Sequence, residues 1–151
     1  MRLVAPLFST NMITGLCFLA ISLSCAAQSK DPETLSVALH PPPYIQTLSV
    51  NEARAIFSMR TRVWPDGSPI TVFVLPNSSP RHSQFVRSLL TLLPHQLQRN
   101  WDRLVYTGIG QAPIEVANET AMIEQLKSTP GSIGYVDIGT KDETLHLIKL
   151  R

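Results

Sequence analysis

Cysteine is nearly absent from this chain of 151 residues, which contains only Cys17 and Cys25. Both lie within the first 27 residues, a segment that the sequence predicts to be removed. The remaining chain would then have no disulfide, no thiol nucleophile and no cysteine ligand for a metal. A domain of this kind has to be stabilised by the packing of its apolar core alone.

Paired metal ligands and a serine-nucleophile motif are missing as well. No two of the four histidines lie three to five positions apart, which argues against the usual zinc motifs. The G-x-S-x-G signature of α/β-hydrolases does not occur. A hydrolase triad of Ser79, His82 and Asp137 stays open on composition alone. We nevertheless predict no catalytic residue, no metal and no cofactor, and therefore a protein that is not an enzyme.

Apolar runs of the roughly 20 residues that span a membrane are also lacking. The shorter apolar segment "MITGLCFLAISLS" follows Arg2 and precedes the small residues of "SCAAQ". This order is typical of an export signal that is cleaved after Ala26 or Ala27. We predict a signal peptide at 1–27 and a mature domain at 28–151 that is periplasmic or secreted and not transmembrane. Lipidation of Cys25 is the alternative, although the preceding residues are out of register with the usual lipoprotein motif.

Acidic residues are scarce in the middle of the chain. Between residues 54 and 103, seven arginines face only Asp66 and Asp102. A basic section suits a small anionic partner, and the alternative is a set of arginines spread over a solvated surface.

Arg99 and Arg103 flank Trp101 at helical spacing, which could indicate nucleic-acid binding, but export argues against a nucleic-acid partner. We predict a solvated face there, with Trp101 in the core.

The hydrophobic periodicity predicts strands that alternate with helices. Strands are predicted at 33–40, 70–75, 132–137 and 144–150, and helices at 49–59, 80–93, 94–105 and 119–128. The first strand alternates large apolar residues with small ones. In the first helix Ala53, Ile56 and Phe57 are predicted to face inward, with Ser49 or Asn51 as the cap. In the second helix the inward positions are predicted to be Phe85, Leu89, Leu92 and Leu93. The fold class is therefore predicted as α/β, a single lobe with a mixed sheet flanked by helices.

The best candidate site is "LPNSSPRHSQF", where a strand turns into a helix. Backbone N–H groups at a helix start are unsatisfied and carry partial positive charge, so they favour an anion. Ser78 or Ser79 offers a hydroxyl, and Arg81 can reach back with a guanidinium. The plain alternative is that Ser79 only caps the helix. Because Arg81 and His82 oppose the helix dipole there, we expect an acidic group or a bound anion nearby.

Several of these segments resemble the phosphate-type substrate-binding proteins of ABC transporters, in the type 2 periplasmic-binding-protein superfamily. The resemblance covers about residues 50–138 and rests on "ARAIF", the "WPDG" turn, the strand before the serine loop, Phe85 and "TPGSIGYV". It implies a type 2 periplasmic-binding-protein-like lobe, an exported location and an oxyanion ligand such as phosphate.

In that family the serine loop reads Gly-Ser-Gly-Thr-Arg, and its Ser, Thr and Arg help to hold phosphate. Aligned on Phe85, the loop has Ser78 at the first Gly, Ser79 at the Ser, Arg81 at the Thr and His82 at the Arg. Only Ser79 keeps the family's residue. The resemblance therefore implies Ser78, Ser79, Arg81 and His82 as ligand-binding positions, with three of them altered.

Family members have two lobes, whereas only about 20 residues of the predicted mature chain precede the matching region. The resemblance thus implies a small single-lobe relative. We predict an exported module that binds a small oxyanion, with an ABC transporter permease as its expected partner. The alternative is an accessory protein that keeps the lobe without the phosphate site and contacts another envelope protein.

Overall fold

The computed structural model describes residues 35–40, 45–137, 139–140 and 142–151. The predicted signal peptide and Cys25 lie outside these ranges. The strands are β1 (Leu35–Leu39), β2 (Thr71–Val74), β3 (Ile114–Glu115), β4 (Ser132–Asp137) and β5 (His146–Ile148). The helices are α1 (Val50–Phe57), α2 (Pro80–Ser88), α3 (Pro94–Tyr106) and α4 (Glu119–Ser128). Among the described residues, every helix is too short or too polar to cross a membrane.

The strands form one mixed sheet in the order β3-β2-β4-β1-β5. Strands β3, β2 and β4 are parallel, and β1 runs antiparallel to both β4 and β5. This arrangement confirms the predicted α/β fold with a mixed sheet and helices. Strand β3 was not predicted, because a strand of two residues is too short to show a periodicity.

Strand β1 is buried over its whole length, including Ser36 and Ala38 between its larger apolar side chains. It lies between β4 and β5, with Val37 opposite Tyr135 in the register. The predicted first strand is therefore confirmed, and both of its faces are buried. The alternation in this strand places large side chains on one face and small side chains on the other, and the protein covers both faces.

Helix α1 begins with a complete capping box. The Ser49 hydroxyl accepts a hydrogen bond from the Glu52 N–H at 3.2 Å, and the Glu52 carboxylate accepts one from the Ser49 N–H at 2.8 Å. Two donors at the helix start are thereby satisfied. The side chains predicted to face inward, Ala53, Ile56 and Phe57, are all buried, so this helix is confirmed in both its cap and its face.

Helix α2 ends at Ser88, earlier than predicted, and Leu93 is 42% exposed instead of facing the core. Thr91 has a left-handed φ of 50°, which is incompatible with a continuing helix. Pro94 in turn disfavours the helical conformation at Leu93, which is extended and precedes α3. Phe85 is buried as predicted, and Leu89 and Leu92 are partly buried against the core. The other buried side chains of this segment are His82, Val86 and Leu90.

An aromatic cluster fixes α2 against the sheet. Phe85 of α2 stacks on Tyr135 of β4 with ring centroids 3.9 Å apart, and Phe57 of α1 meets Phe85 edge-on at 4.7 Å. Trp101 of α3 is buried, as predicted, and its indole N–H donates to the Phe57 carbonyl at 2.8 Å. Because Tyr135 lies in a central strand, this packing determines where the N-terminus of α2 lies.

Candidate functional site

A cleft of about 550 Å³ lies where α2 and α4 begin. Strand β2 leads into α2, and strand β3 leads through a short connection into α4. Because β2 and β3 are parallel neighbours, both helices start at the same edge of the sheet. Six polar residues line the cleft, namely Ser79, Arg81, Gln84, Asn118, Glu119 and Thr120. Two positively polarised helix N-termini therefore face one cavity.

Both helix starts are capped by a side chain from the cleft. The Ser79 hydroxyl accepts from the His82 N–H of α2 at 3.4 Å, which confirms the predicted cap. The Asn118 side-chain oxygen accepts from the Ala121 N–H of α4 at 2.9 Å. The Ser79 contact is long and weak, and its hydroxyl still has a proton to donate. Ser79 can therefore cap the helix and also donate to an anion.

Arg81 is held by two carboxylates that approach from other elements. Its Nε lies 2.6 Å from Glu119 Oε1, and its Nη2 lies 3.2 Å from Asp137 Oδ2. Glu119 stands in the first turn of α4, where the helix dipole favours a negative charge. Asp137 is the last residue of β4. These are the acidic groups that the unfavourable position of Arg81 at a helix start led us to expect.

The two ion pairs leave one nitrogen of the Arg81 guanidinium, Nη1, without a hydrogen bond to the described residues. Nη1 is buried and has no hydrogen-bond partner among the described residues. Glu119 Oε1 likewise has no aligned hydrogen bond there, so its contact with Nε is an ion pair of poor hydrogen-bond geometry. A buried donor without a partner costs about 1 to 3 kcal/mol. An oxygen atom of a bound anion would remove that cost.

His82 points away from the cleft and into the core. It is completely buried, and its Nδ1 lies 2.7 Å from the Tyr135 hydroxyl oxygen. Burial lowers the pKa of His82, so the ring is neutral near neutral pH. Burial also raises the pKa of Tyr135, whose hydroxyl oxygen accepts a hydrogen bond from the Leu75 N–H at 2.8 Å. These contacts connect the end of β2 to the first turn of α2.

The four residues predicted for ligand binding thus fall in three different places. Ser79 and Arg81 line the cleft, Ser78 is exposed and is not among the lining residues, and His82 faces Tyr135. Sequence reasoning missed the lining residues that α4 contributes. A signal for them existed, because an asparagine directly before a predicted helix marks its cap and the first turn favours an acid.

The arrangement does not support the hydrolase reading. The His82 ring is hydrogen-bonded to Tyr135, and the Asp137 carboxylate pairs with Arg81, so the proposed triad with Ser79 is not assembled. Within the described ranges, no group of three His, Cys, Asp or Glu side chains is placed to hold a metal ion.

No protein-family model and no curated protein sequence matches the chain. Solved structures do match it over 78% of its length. One is assigned as a phosphate ABC transporter substrate-binding protein with bound phosphate, from Clostridium perfringens (12% identity, TM-score 0.61, 44% of that chain covered). Others are an ABC-type phosphate transport receptor from Vibrio cholerae (15%, 0.60, 46%) and PstS from Borrelia burgdorferi (19%, 0.60, 47%).

At these identities the likeness shows the fold alone. The chain has the fold of phosphate ABC transporter substrate-binding proteins, which confirms the resemblance seen in the sequence. It spans less than half the length of each of these structures. The first two are described as transport proteins, and none of the three is described as an enzyme.

Proposed function

We propose that this protein is an exported binding module of the phosphate-binding type and that it binds a small oxyanion in the cleft between α2 and α4. The observation that carries this proposal is the buried Nη1 of Arg81, which lacks a hydrogen-bond partner among the described residues beside two helix N-termini. The Ser79 hydroxyl supplies a second donor at the same place.

The charges in the cleft predict a modest affinity. Each helix N-terminus contributes about half a positive charge, and Arg81 contributes a full one. Glu119 and Asp137 oppose them with two negative charges. The cleft is therefore close to neutral, and we expect a dissociation constant on the order of millimolar for phosphate or sulfate.

The role in transport rests on the likeness to solved structures. Those proteins are described as ABC transporter components, so an ABC transporter permease is the proposed partner. Export of the mature domain at 28–151, after removal of the predicted signal peptide at 1–27, would bring the module to the periplasm. The N-terminal sequence of the protein purified from a periplasmic fraction tests this part of the proposal.

Calorimetric titration of the mature protein with phosphate and with sulfate tests the site itself. We expect a binding signal that Arg81→Ala abolishes and that Ser79→Ala weakens. Arg87→Ala is the matched control, because Arg87 is an exposed arginine on the same helix. No heat and no thermal shift at millimolar anion would contradict the proposal, as would equal losses in the Arg81 and Arg87 variants.

A second candidate function is an accessory protein that keeps the fold but not the anion site, and that contacts another envelope protein. It is favoured by one observation: Glu119 and Asp137 already pair with Arg81, so the arginine needs no ligand for charge balance. Crosslinking in intact cells tests this candidate. A specific envelope partner together with no anion binding would support it, whereas clear anion binding and no partner would contradict it.

A further inference from the structure

Arg60, which follows α1, and Arg103, in the last turn of α3, are linked through two polar residues. Arg60 Nε donates to the Ser58 hydroxyl at 3.1 Å, and the Asn100 amide donates to the Ser58 carbonyl at 2.8 Å. Asn100 Oδ1 in turn accepts from Arg103 Nη2 at 3.3 Å. This chain of hydrogen bonds connects Arg60 to Arg103 through Ser58 and Asn100. Both arginines are exposed.

A third arginine stands against the loop that follows α3. Arg62 is exposed, and its Nη1 donates to the Ile109 carbonyl at 3.4 Å. None of the ion pairs between described side chains involves Arg60, Arg62 or Arg103. The exposed carboxylates nearest in sequence are Asp66 and Asp102, which accept hydrogen bonds from the Ser68 N–H at 2.9 Å and from Gln98 at 2.7 Å. The three guanidinium groups therefore keep their charge available to a partner.

Large apolar side chains project from the same region. Tyr106 is 93% exposed, Ile109 is 71% exposed and Val105 is 55% exposed. Tyr106 follows Arg103 by three positions in α3 and so lies on the same side of that helix. An exposure of 93% means that the Tyr106 ring makes almost no contact with its own protein. Ile109 lies beside Arg62, which donates to its carbonyl, so exposed apolar and basic side chains share this region, and such regions mark interaction sites.

We propose that this basic and apolar surface, formed by Arg60, Arg62, Arg103, Val105, Tyr106 and Ile109, binds the anionic headgroups of a lipid membrane. Arginine pairs with phosphate through two parallel hydrogen bonds, and tyrosine is enriched at the headgroup level of membranes. The aliphatic side chains of Val105 and Ile109 enter the adjacent acyl region. This proposal does not depend on anion binding in the cleft between α2 and α4.

A lipid surface fits these side chains better than a protein or a nucleic acid does. A projecting ring inserts into lipid without a preformed pocket, whereas protein interfaces need a complementary, closely packed surface. Bases of a nucleic acid would stack on Tyr106, but stacking gives no role to the aliphatic Val105 and Ile109. Basic residues beside aromatic and aliphatic ones are typical of segments that lie in the membrane interface.

Sedimentation with lipid vesicles tests the proposal on the protein that begins at Gln28, a form that contains every described residue. We expect binding to vesicles that contain phosphatidylglycerol and little binding to pure phosphatidylcholine. High salt should release the protein, because the screening length falls from about 8 Å at 0.15 M to about 3 Å at 1 M. Equal binding to both vesicle types would overturn the proposal.

Variants locate the binding surface. Arg103→Gln should weaken binding to phosphatidylglycerol vesicles about fivefold, the effect of one basic residue near an anionic surface. Lys149→Gln, which replaces an exposed lysine directly after β5, is the charge-matched control and should change binding less than twofold. Tyr106→Ser should also weaken binding to these vesicles. The substitution should leave folding unchanged, because the Tyr106 ring makes almost no contact with the rest of the protein. Equal effects of the Arg103 and Lys149 variants, or unchanged binding in Tyr106→Ser, would overturn the proposal.

A single-stranded oligonucleotide serves as the competing ligand. Tighter binding of the oligonucleotide than of the vesicles, with the same loss in Arg103→Gln and Tyr106→Ser, would overturn the lipid assignment in favour of a nucleic acid. Weak binding of the oligonucleotide that Arg103→Gln and Tyr106→Ser do not alter would support the lipid assignment. Thermal unfolding of every variant confirms that the comparisons are made between folded proteins.

Discussion

Nδ1 of His82 lies 2.7 Å from the hydroxyl oxygen of Tyr135, which is 53 positions later in the chain, and neither residue is exposed. The same hydroxyl oxygen accepts the N–H of Leu75. One phenol group therefore fixes both ends of the loop that carries Ser79. The position of the candidate anion site thus depends on a hydrogen bond in the core, and this dependence can be measured.

Tyr135→Phe removes that hydroxyl and keeps the ring that stacks on Phe85. The Leu75 N–H then loses its acceptor in a buried environment, which costs about 1 to 3 kcal/mol. We expect the free energy of unfolding in urea to fall by this amount. Tyr106→Phe is the control, because an exposed hydroxyl contributes less than about 0.5 kcal/mol. Equal stabilities of the two variants would show that the buried hydrogen bond contributes nothing.

Stability should depend on pH through His82. Burial holds its pKa in the folded protein below the ordinary value of 6.5, while the unfolded chain keeps that value. As the pH falls through about 6.5, the unfolded state therefore binds more protons than the folded state, and unfolding becomes easier. We expect full stability above about pH 7 and a loss of up to about 1.4 kcal/mol per pH unit below 6.5, until the folded pKa is reached.

Urea unfolding over a series of pH values measures this slope. His82→Gln should flatten the curve in the same pH window, whatever it does to the absolute stability. His95→Gln, which replaces an exposed histidine of α3, should leave the slope as it is. If the two variants change the slope equally, then His82 is not the group responsible.

Gly131 and Gly67 offer a matched test of a close backbone approach. Both have left-handed φ values, 73° and 84°, which any side chain would strain. A Cβ at Gly131 would lie only 2.8 Å from the Pro69 carbonyl oxygen, whereas a Cβ at Gly67 would have no neighbour within 4 Å among the described residues. We expect Gly67→Ala to cost about 1 to 2 kcal/mol of unfolding free energy, and Gly131→Ala to cost clearly more. Thermal or urea unfolding compares them, and equal losses would contradict the close approach.

Glu119→Gln separates the two candidate functions. The substitution removes the carboxylate closest to the Arg81 guanidinium, so the guanidinium should attract an anion more strongly. We expect phosphate affinity to rise on the order of tenfold, since a nearby charge interacts by a few kcal/mol before solvent screening. Glu124→Gln, on the exposed side of the same helix, should not change it. Calorimetry checks both, and a failure of Glu119→Gln to bind phosphate better would favour the accessory role.

Periodicity in the sequence was enough for most elements of this fold. Helix α4 was predicted with its bounds, and α1 was predicted with its cap and its buried face. The predictions failed where a single residue overrides periodicity, as Thr91 and Pro94 do after α2. The antiparallel position of β1 between β4 and β5 could not be predicted, because pairing between distant strands leaves no local signal.

Only the part of the candidate site that lies in the serine loop and the first turn of α2 could be predicted from the sequence. Ser79 and Arg81 were identified because a serine loop before a helix has a known chemistry. Asp137 and Glu119 were not, because they reach Arg81 through the parallel order of β3, β2 and β4. His82 was predicted to bind ligand because it aligns with the arginine of the family's serine loop. Its polar neighbours in the sequence gave no indication that its ring is buried in the core.

The two-residue length of β3 has a consequence for how the cleft behaves in solution. Phe73 and Val74 pair with only Ile114 and Glu115, and the ladder continues through one further hydrogen bond from Val116. Local opening of so short a ladder requires little free energy, so its amides should exchange with deuterium faster than those of β4. An anion that bridges α2 and α4 would slow this exchange while the core stays as it is. The exchange rates of the individual β3 amides would then show whether an anion occupies the cleft.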